Sequence, residues 1–254
     1  MSTESSSAET VSTTPAVSPA GPPHPRAVLL DVGGVFFLPD PDHVAAACAR
    51  GGVAVDPDVL PRAHYVGATA FHVEYDGDFP WNDLWESYLD RYVETCGIPV
   101  ESRAEVKDHL ESEFATAALW RWEIPGALDG LRALAATGVT LGIVSNADGL
   151  IGERLREQEI LQVGPGVGVE VATLIDSGAV GVMKPDPRIF HLALDALDLE
   201  PSEVLYVGDM PGIDVMGARA AGIRPIVMDP FGLHLDADYE RVSSLADVVA
   251  LVTA

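Results

Sequence analysis

The stretch Ala27-Val28-Leu29-Leu30-Asp31-Val32-Gly33-Gly34 decides the fold. Four apolar residues in a row, without polar alternation, describe a strand buried on both faces, as in a parallel sheet covered by helices. The run stops at a carboxylate, and the glycines behind it permit a tight turn. Three more runs have the same form. Val139 to Val144 ends at Ser145-Asn146, Val204-Leu205-Tyr206-Val207 ends at Gly208-Asp209, and Pro225-Ile226-Val227-Met228 ends at Asp229. Amphipathic segments alternate with them: Ala127 to Ala136, Leu150 to Glu157, Arg188 to Leu197 and Ile213 to Ala221. Strand and helix in alternation predict a doubly wound parallel sheet of the α/β class. Such sheets bind ligands outside the carboxyl ends of their strands, where these polar residues fall. The glycine-rich stretch Gly164-Pro165-Gly166-Val167-Gly168 misses the dinucleotide pattern, because Val169 occupies its last position, and reads as a loop.

One interval is out of proportion. A strand–helix–strand unit takes roughly 30 residues, yet Asp31 and Ser145 lie much further apart. The excess, Pro39 to Leu119, has helical patterns and no clear strand. Trp81, Trp85, Tyr88 and Tyr92 put four rings on one helix face, which reads mainly as an inward-packing stripe. A second candidate helix carries His64, Ala68, Phe71 and Tyr75 at the same spacings. An insertion directly after the first strand would sit above the carboxyl edge of the sheet as a helical cap. The expected organisation is therefore a tail over 1–25, a core over 26–38 and 120–254, and a cap over 39–119.

The formal charge of -24 argues against nucleic acid and anionic membranes as partners, since an acidic surface repels both. An anionic substrate would need a local cation. Cys48 and Cys96 stand far apart, without metal-site spacing, and fit reduced thiols of a cytoplasmic protein. No apolar run approaches the roughly 18 residues of a transmembrane helix. The first 25 residues, rich in Ser, Thr, Ala and Pro, lack the basic start and apolar middle of a signal peptide and read as a disordered tail. Only two lysines, Lys107 and Lys184, occur beside 13 arginines.

Four features carry the chemistry: Asp31 after the first strand; Ser145-Asn146; Lys184 within Gly181-Val182-Met183-Lys184-Pro185-Asp186-Pro187; and Gly208-Asp209 through Asp214. Singly, each is a common cap, turn or surface residue. Jointly, at successive strand ends, they form a motif in its proper context. A carboxylate nucleophile can attack phosphorus and divide one hard displacement into two easier ones. Attack of anion on anion needs neutralisation, which a lysine and Mg²⁺ supply. Asp31 and Asp209 suit Mg²⁺, and Ser145 with backbone N–H groups would hold phosphate oxygens.

These residues resemble the haloacid dehalogenase superfamily, most of whose members are phosphatases, over nearly everything from Arg26 onward. The resemblance rests on Asp31-Val32-Gly33-Gly34-Val35, Ser145-Asn146, Asp176 through Phe190, and Gly208-Asp209 through Asp214. It implies a Rossmann-like core with a helical cap after the first motif. It further implies Asp31 as nucleophile, and Ser145 (with Asn146 beside it) and Lys184 as phosphate-binding residues. Asp31, Asp209 and the backbone carbonyl of Gly33 would hold Mg²⁺, and Asp214 would orient metal-bound water or the lysine. The expected substrate is a small phosphorylated metabolite. Oligomeric state is not legible.

Gly33 departs from the pattern. Family phosphatases usually carry a second Asp there, which protonates the leaving oxygen and then activates water. Losing such a group typically costs about 10²–10⁴-fold. Three readings follow: a phosphatase with a good leaving group or an acid/base from the cap, for which His64, His72 and Glu74 are candidates; a metal-independent dehalogenase, since halide leaves unprotonated; or a phosphate-binding module without turnover. Retention of Asp209 favours the first. Arg62 and Arg121 are candidates for a second anionic group of the substrate.

Overall fold

The computed structural model describes residues 24–71, 80–116 and 119–254. Its strands are β1 (Ala27–Leu30), β2 (Phe37–Pro39), β3 (Trp120–Glu123), β4 (Thr140–Ser145), β5 (Leu161–Val163), β6 (Val169–Val171), β7 (Thr173–Asp176), β8 (Val204–Gly208), β9 (Arg224–Met228) and β10 (Glu240–Val242). Its α-helices are α1 (Pro41–Arg50), α2 (Leu60–Ala68), α3 (Trp81–Thr95), α4 (Arg103–Phe114), α5 (Ala127–Ala136), α6 (Ile151–Glu157), α7 (Ser177–Val180), α8 (Arg188–Leu197), α9 (Pro211–Ala220) and α10 (Leu245–Thr253).

Six strands form one sheet in the order β10-β9-β8-β1-β4-β7, with every pairing parallel. The expected α/β architecture is the observed one. β1 shows why its sequence is apolar throughout. Val28 and Leu30 join a cluster with Leu131 and Leu134 of α5 and Leu245 of α10. Ala27 and Leu29 turn the other way, into a cluster with Ile189 and Phe190 of α8 and Ala218 of α9. Successive strand residues face opposite layers, and both layers here are helical. Each fully buried Val or Leu contributes about 1.5–3 kcal/mol. β7 and β10 were not expected as strands. β10 is a three-residue edge with two exposed polar residues, so it carries no apolar run to detect.

Between β2 and β3 the described residues form helices α1–α4 and short 3₁₀ turns. They build a core of their own around Cys48, Phe71, Tyr88, Tyr92, Val106 and Leu110. The described residues between these strands hold no further strand, in line with the sequence, and an antiparallel ribbon flanks the insertion at its base. Phe37 pairs with Glu123, Leu38 with Trp122 and Pro39 with Trp120. The second candidate helix ends earlier than its spacing suggested: α2 stops at Ala68, a 3₁₀ turn covers Thr69–Phe71, and Tyr75 lies outside the described residues.

Asp40 secures the crossing from ribbon to insertion. Its Oδ1 accepts from the backbone N–H groups of Asp42 and His43, capping α1, while Oδ2 accepts from Arg121 Nε at 2.7 Å. Burial disfavours the ionised form, but Arg121 and His43 outweigh it and hold the carboxyl at about 2. Asp40→Ala should cost about 1–2 kcal/mol, the usual loss of an N-cap, read as a lower melting temperature. Because the folded value lies below the unfolded one, this contribution is present above about pH 4 and fades as pH falls towards 2. The gap between wild type and variant should therefore narrow in acid.

Candidate active site

Parallel register assembles the site. Leu30 pairs with Ile143 on one side and Val207 on the other, so β1, β4 and β8 deliver Asp31, Ser145 and Asp209 to the same sheet edge. The chain places β4 and β7 on one side of β1, then β8 to β10 on the other. The crevice at this reversal is the expected ligand position in an open α/β sheet.

At its floor lies Lys184, buried to 1% exposure. Its Nζ donates to Asp31 Oδ2 at 2.5 Å, to Asp214 Oδ1 at 2.8 Å and to the Tyr206 hydroxyl at 2.6 Å. Burial would strip its proton, but Asp214 and Asp31 overcome that and raise its pKa. Asp31 feels the reverse balance. Burial raises its pKa to about 6 against the pull of Lys184, with Asp214 and Asp209 adding repulsion. The second Asp31 oxygen accepts the Val32 N–H at 2.7 Å. Asn146 clamps the lysine's backbone: its Nδ2 donates to the Lys184 carbonyl and its Oδ1 accepts the Lys184 N–H. The Asn146 amide is thus committed to placing Lys184; Ser145, which is buried, and Asn146 both border the cleft.

Asp214 is engaged through both oxygens. Oδ1 accepts from Lys184 and Tyr206, and Oδ2 from the backbone N–H groups of Asp209 and Met210. It therefore braces the lysine and the Asp209 loop. Tyr206 was legible only as part of a buried strand. Its hydroxyl needed a partner once buried, and burial holds it neutral by raising its pKa well above the usual range.

Asp209 packs directly on the Gly34 backbone. A Cβ on Gly34 would lie 2.1 Å from the Asp209 carboxyl carbon, and Gly34 has φ of +67°, so glycine is required on two counts. Burial raises the pKa of Asp209. Its Oδ2 is bound to His64 Nε2 at 2.8 Å, while His64 Nδ1 meets the Tyr88 hydroxyl at 2.9 Å. His64 is fully buried and is absent from the cleft lining. It ties the helical insertion to Asp209, which is a different arrangement from a free acid/base. His72 and Glu74 lie outside the described residues.

Donor oxygens of Asp31, Asp209 and Asp214 lie within 4.8 Å of one another. Three buried carboxylates around one lysine leave net negative charge where burial penalises it. Hard oxygen donors suit a small divalent cation. Asp31 and Asp209 fit as direct ligands better than Asp214, whose oxygens already hold four donors.

Above this floor is a cleft of about 520 Å³ lined by Trp81, Trp85, Phe114 and Trp120 among others. The aromatic stripe of α3 therefore divides: Tyr88 and Tyr92 are core, as the pattern suggested, while Trp81 and Trp85 border the cleft. Trp120 was not singled out in the sequence. A Cβ on Gly33 would lie 3.2 Å from its ring, so the indole fills the space beside the position where an acid is missing. Arg62 lies over the Phe231 ring and Arg121 pairs with Asp40, and neither lines the cleft.

A parallel sheet thus presents a buried aspartate–lysine cluster beside further carboxylates at its carboxyl edge, where open α/β sheets bind their ligands. The chain belongs to the haloacid dehalogenase-like hydrolase family, whose sequence profile matches residues 25–222. It is 30% identical over 145 residues to haloacid dehalogenase-like hydrolase domain-containing protein 3 of Bos taurus, covering 57% of this chain and 55% of that one. It is 46% identical over 67 residues to phosphoserine phosphatase of Thermus thermophilus, covering 26% and 27% of the two chains. The chain thus spans about half the length of the first relative and about a quarter of the second. A putative hydrolase of this superfamily from Bacillus subtilis, solved bound to magnesium, has the same fold, with a TM-score of 0.54 at 16% identity over 91% of this chain and 100% of that one. Further relatives include a phosphoglycolate phosphatase and an (S)-2-haloacid dehalogenase.

Proposed function

We propose that the protein is a Mg²⁺-dependent phosphomonoester hydrolase that works through an aspartyl phosphate on Asp31. The observation that carries this reading is the charge at the floor: Asp31, Asp209 and Asp214 buried together, with Lys184 shared by Asp31 and Asp214 and His64 on Asp209. Asp31, Asp209 and the Gly33 carbonyl would hold Mg²⁺, which when bound neutralises phosphoryl oxygens and makes attack by a carboxylate feasible. Lys184 orients Asp31 and meets a phosphoryl oxygen, and Ser145 with the backbone N–H groups at the strand ends holds the others. Asp214, Tyr206 and Asn146 keep the ammonium in place. His64 holds one oxygen of Asp209. The helices between Pro39 and Leu119 serve as a cap that supplies the apolar walls and limits water. The substrate is a small phosphorylated metabolite. The charge supports neither nucleic acid nor an anionic membrane as a partner, and no helix among the described residues is long and apolar enough to cross a membrane. The thiols of Cys48 and Cys96 are unpaired, in keeping with a cytoplasmic location.

Gly33 favours a second reading, carbon–halogen cleavage, in which the leaving group needs no proton. A metal-independent reaction gives no use to the surplus of buried carboxylates, so the first reading is preferred. A panel of phosphate esters and 2-haloacids, assayed with Mg²⁺ and with EDTA, separates them. The expected result is phosphate release that EDTA suppresses by at least about 10²-fold. Halide release that survives EDTA would transfer the assignment to the dehalogenase chemistry. Binding of orthovanadate or phosphate without turnover of any ester would assign a binding module.

A further inference from the structure

Three of the chain's four tryptophans, Trp81, Trp85 and Trp120, line the cleft together with Phe114. The rings are braced before any ligand arrives. Trp85 stands edge-on to Phe71 at 5.4 Å and to Tyr88 at 5.0 Å, and Trp120 edge-on to His64 at 5.3 Å. Among the described residues lining the cleft, Lys184 is the one cation, and two carboxylates already share it. Asp148, also on the wall, is paired with Arg154 and leaves that guanidinium engaged. A ligand with a second anionic group would therefore meet repulsion, whereas a neutral aromatic body would meet ring faces and edges.

Position 33 carries the same message from the chemical side. It offers no proton, and the Trp120 ring would stand 3.2 Å from any Cβ placed there. The leaving oxygen therefore departs into an apolar wall. We infer that the cleft is built for aryl phosphates: monoesters with a neutral aromatic body whose leaving oxygen needs no proton to depart. The inference rests on the phosphatase reading and narrows its substrate class.

The step balances without an acid. An Asp31 oxygen forms a bond to phosphorus as the phosphorus–aryl-oxygen bond breaks. The electron pair stays on the phenolate, which takes its proton from water after release. Water then attacks phosphorus, the bond to Asp31 breaks with its pair returning to the carboxylate, and both water protons remain on the phosphate released. This second step also lacks a base from position 33, and it is common to every ester.

The test uses the intact protein in Mg²⁺ with substituted phenyl phosphates of similar size. From 4-nitrophenyl to phenyl phosphate, about three units in leaving-group pKa, kcat/KM should fall by about 10²-fold or more, the contribution a general acid would have supplied. Over the same series kcat should vary much less, with a pre-steady-state burst of phenol, because hydrolysis of the common intermediate limits turnover. A 4-carboxyphenyl ester should react at least about 10-fold less well in kcat/KM than its 4-carbamoyl counterpart, from charge alone. A kcat/KM indifferent to leaving-group pKa, or higher for the carboxylated ester than for its carbamoyl counterpart, would overturn the inference and leave the phosphatase reading standing. Release from no ester at all would instead remove the reading on which it rests.

Discussion

Asp31→Asn is expected to reduce phosphate release by about 10⁴-fold or more in kcat, on a protein that remains folded. The substitution keeps the side chain's shape. Its single amide oxygen can still accept the Val32 N–H that Asp31 Oδ1 accepts at 2.7 Å, which turns the amide N–H₂ toward the Lys184 ammonium that Oδ2 now accepts. What disappears is the nucleophile, since an amide oxygen forms no stable acyl phosphate. Lys184 keeps Asp214 and the Tyr206 hydroxyl as partners, so the ammonium is not stranded. The change also removes a charge that burial and the neighbouring Asp214 and Asp209 disfavour, as its pKa of about 6 records. That relief opposes the donor–donor contact with Lys184, so melting temperature should change little. The checks are phosphate release under saturating 4-nitrophenyl phosphate and thermal unfolding of both proteins. Activity within ten-fold of wild type would place the nucleophile elsewhere.

Lys184→Met should fail in the opposite manner, losing both activity and stability. The variant would leave Asp31 and Asp214 buried beside Asp209 without the ammonium they share. Breaking a buried ion pair from one side costs about 3–5 kcal/mol. Urea denaturation should show that loss, and added Mg²⁺ should recover part of it by binding the exposed excess of carboxylate. Lys184→Arg should not rescue. The planar guanidinium is larger than the ammonium that Asp31, Asp214 and Tyr206 enclose. Wild-type stability in Lys184→Met would mean that the carboxylates are protonated or solvated and that the charge argument for a cation is wrong.

How much of this was legible varies by residue for physical reasons. β1, α5 and α8 were readable to the residue, because burial on two faces writes an unbroken apolar run and a helix on a sheet writes a 3.6-residue stripe. The ribbon of β2 and β3 was not readable. Its pairing joins Leu38 to Trp122 across the whole insertion, and neither strand is long enough to show a period. The site's charged residues stood out because polar groups at the ends of buried strands are conspicuous. Tyr206 did not, since a tyrosine inside an apolar run looks like core until its hydroxyl is found on Lys184. His64 was noticed, but its attachment to Asp209, 145 positions away, was not.

The sequence by itself determined that a parallel α/β sheet would present Asp31, Ser145 and Asp209 at one edge, because apolar runs ending in polar residues specify both the strand and its direction. It also showed that Gly33 brings no acid. Only the tertiary structure decided what occupies that place. The Trp120 indole reaches Gly33 through the antiparallel ribbon, and His64 reaches Asp209 through packing of α2 onto the core. Both depend on contacts between segments distant in the chain, which no local pattern of hydrophobicity or spacing encodes.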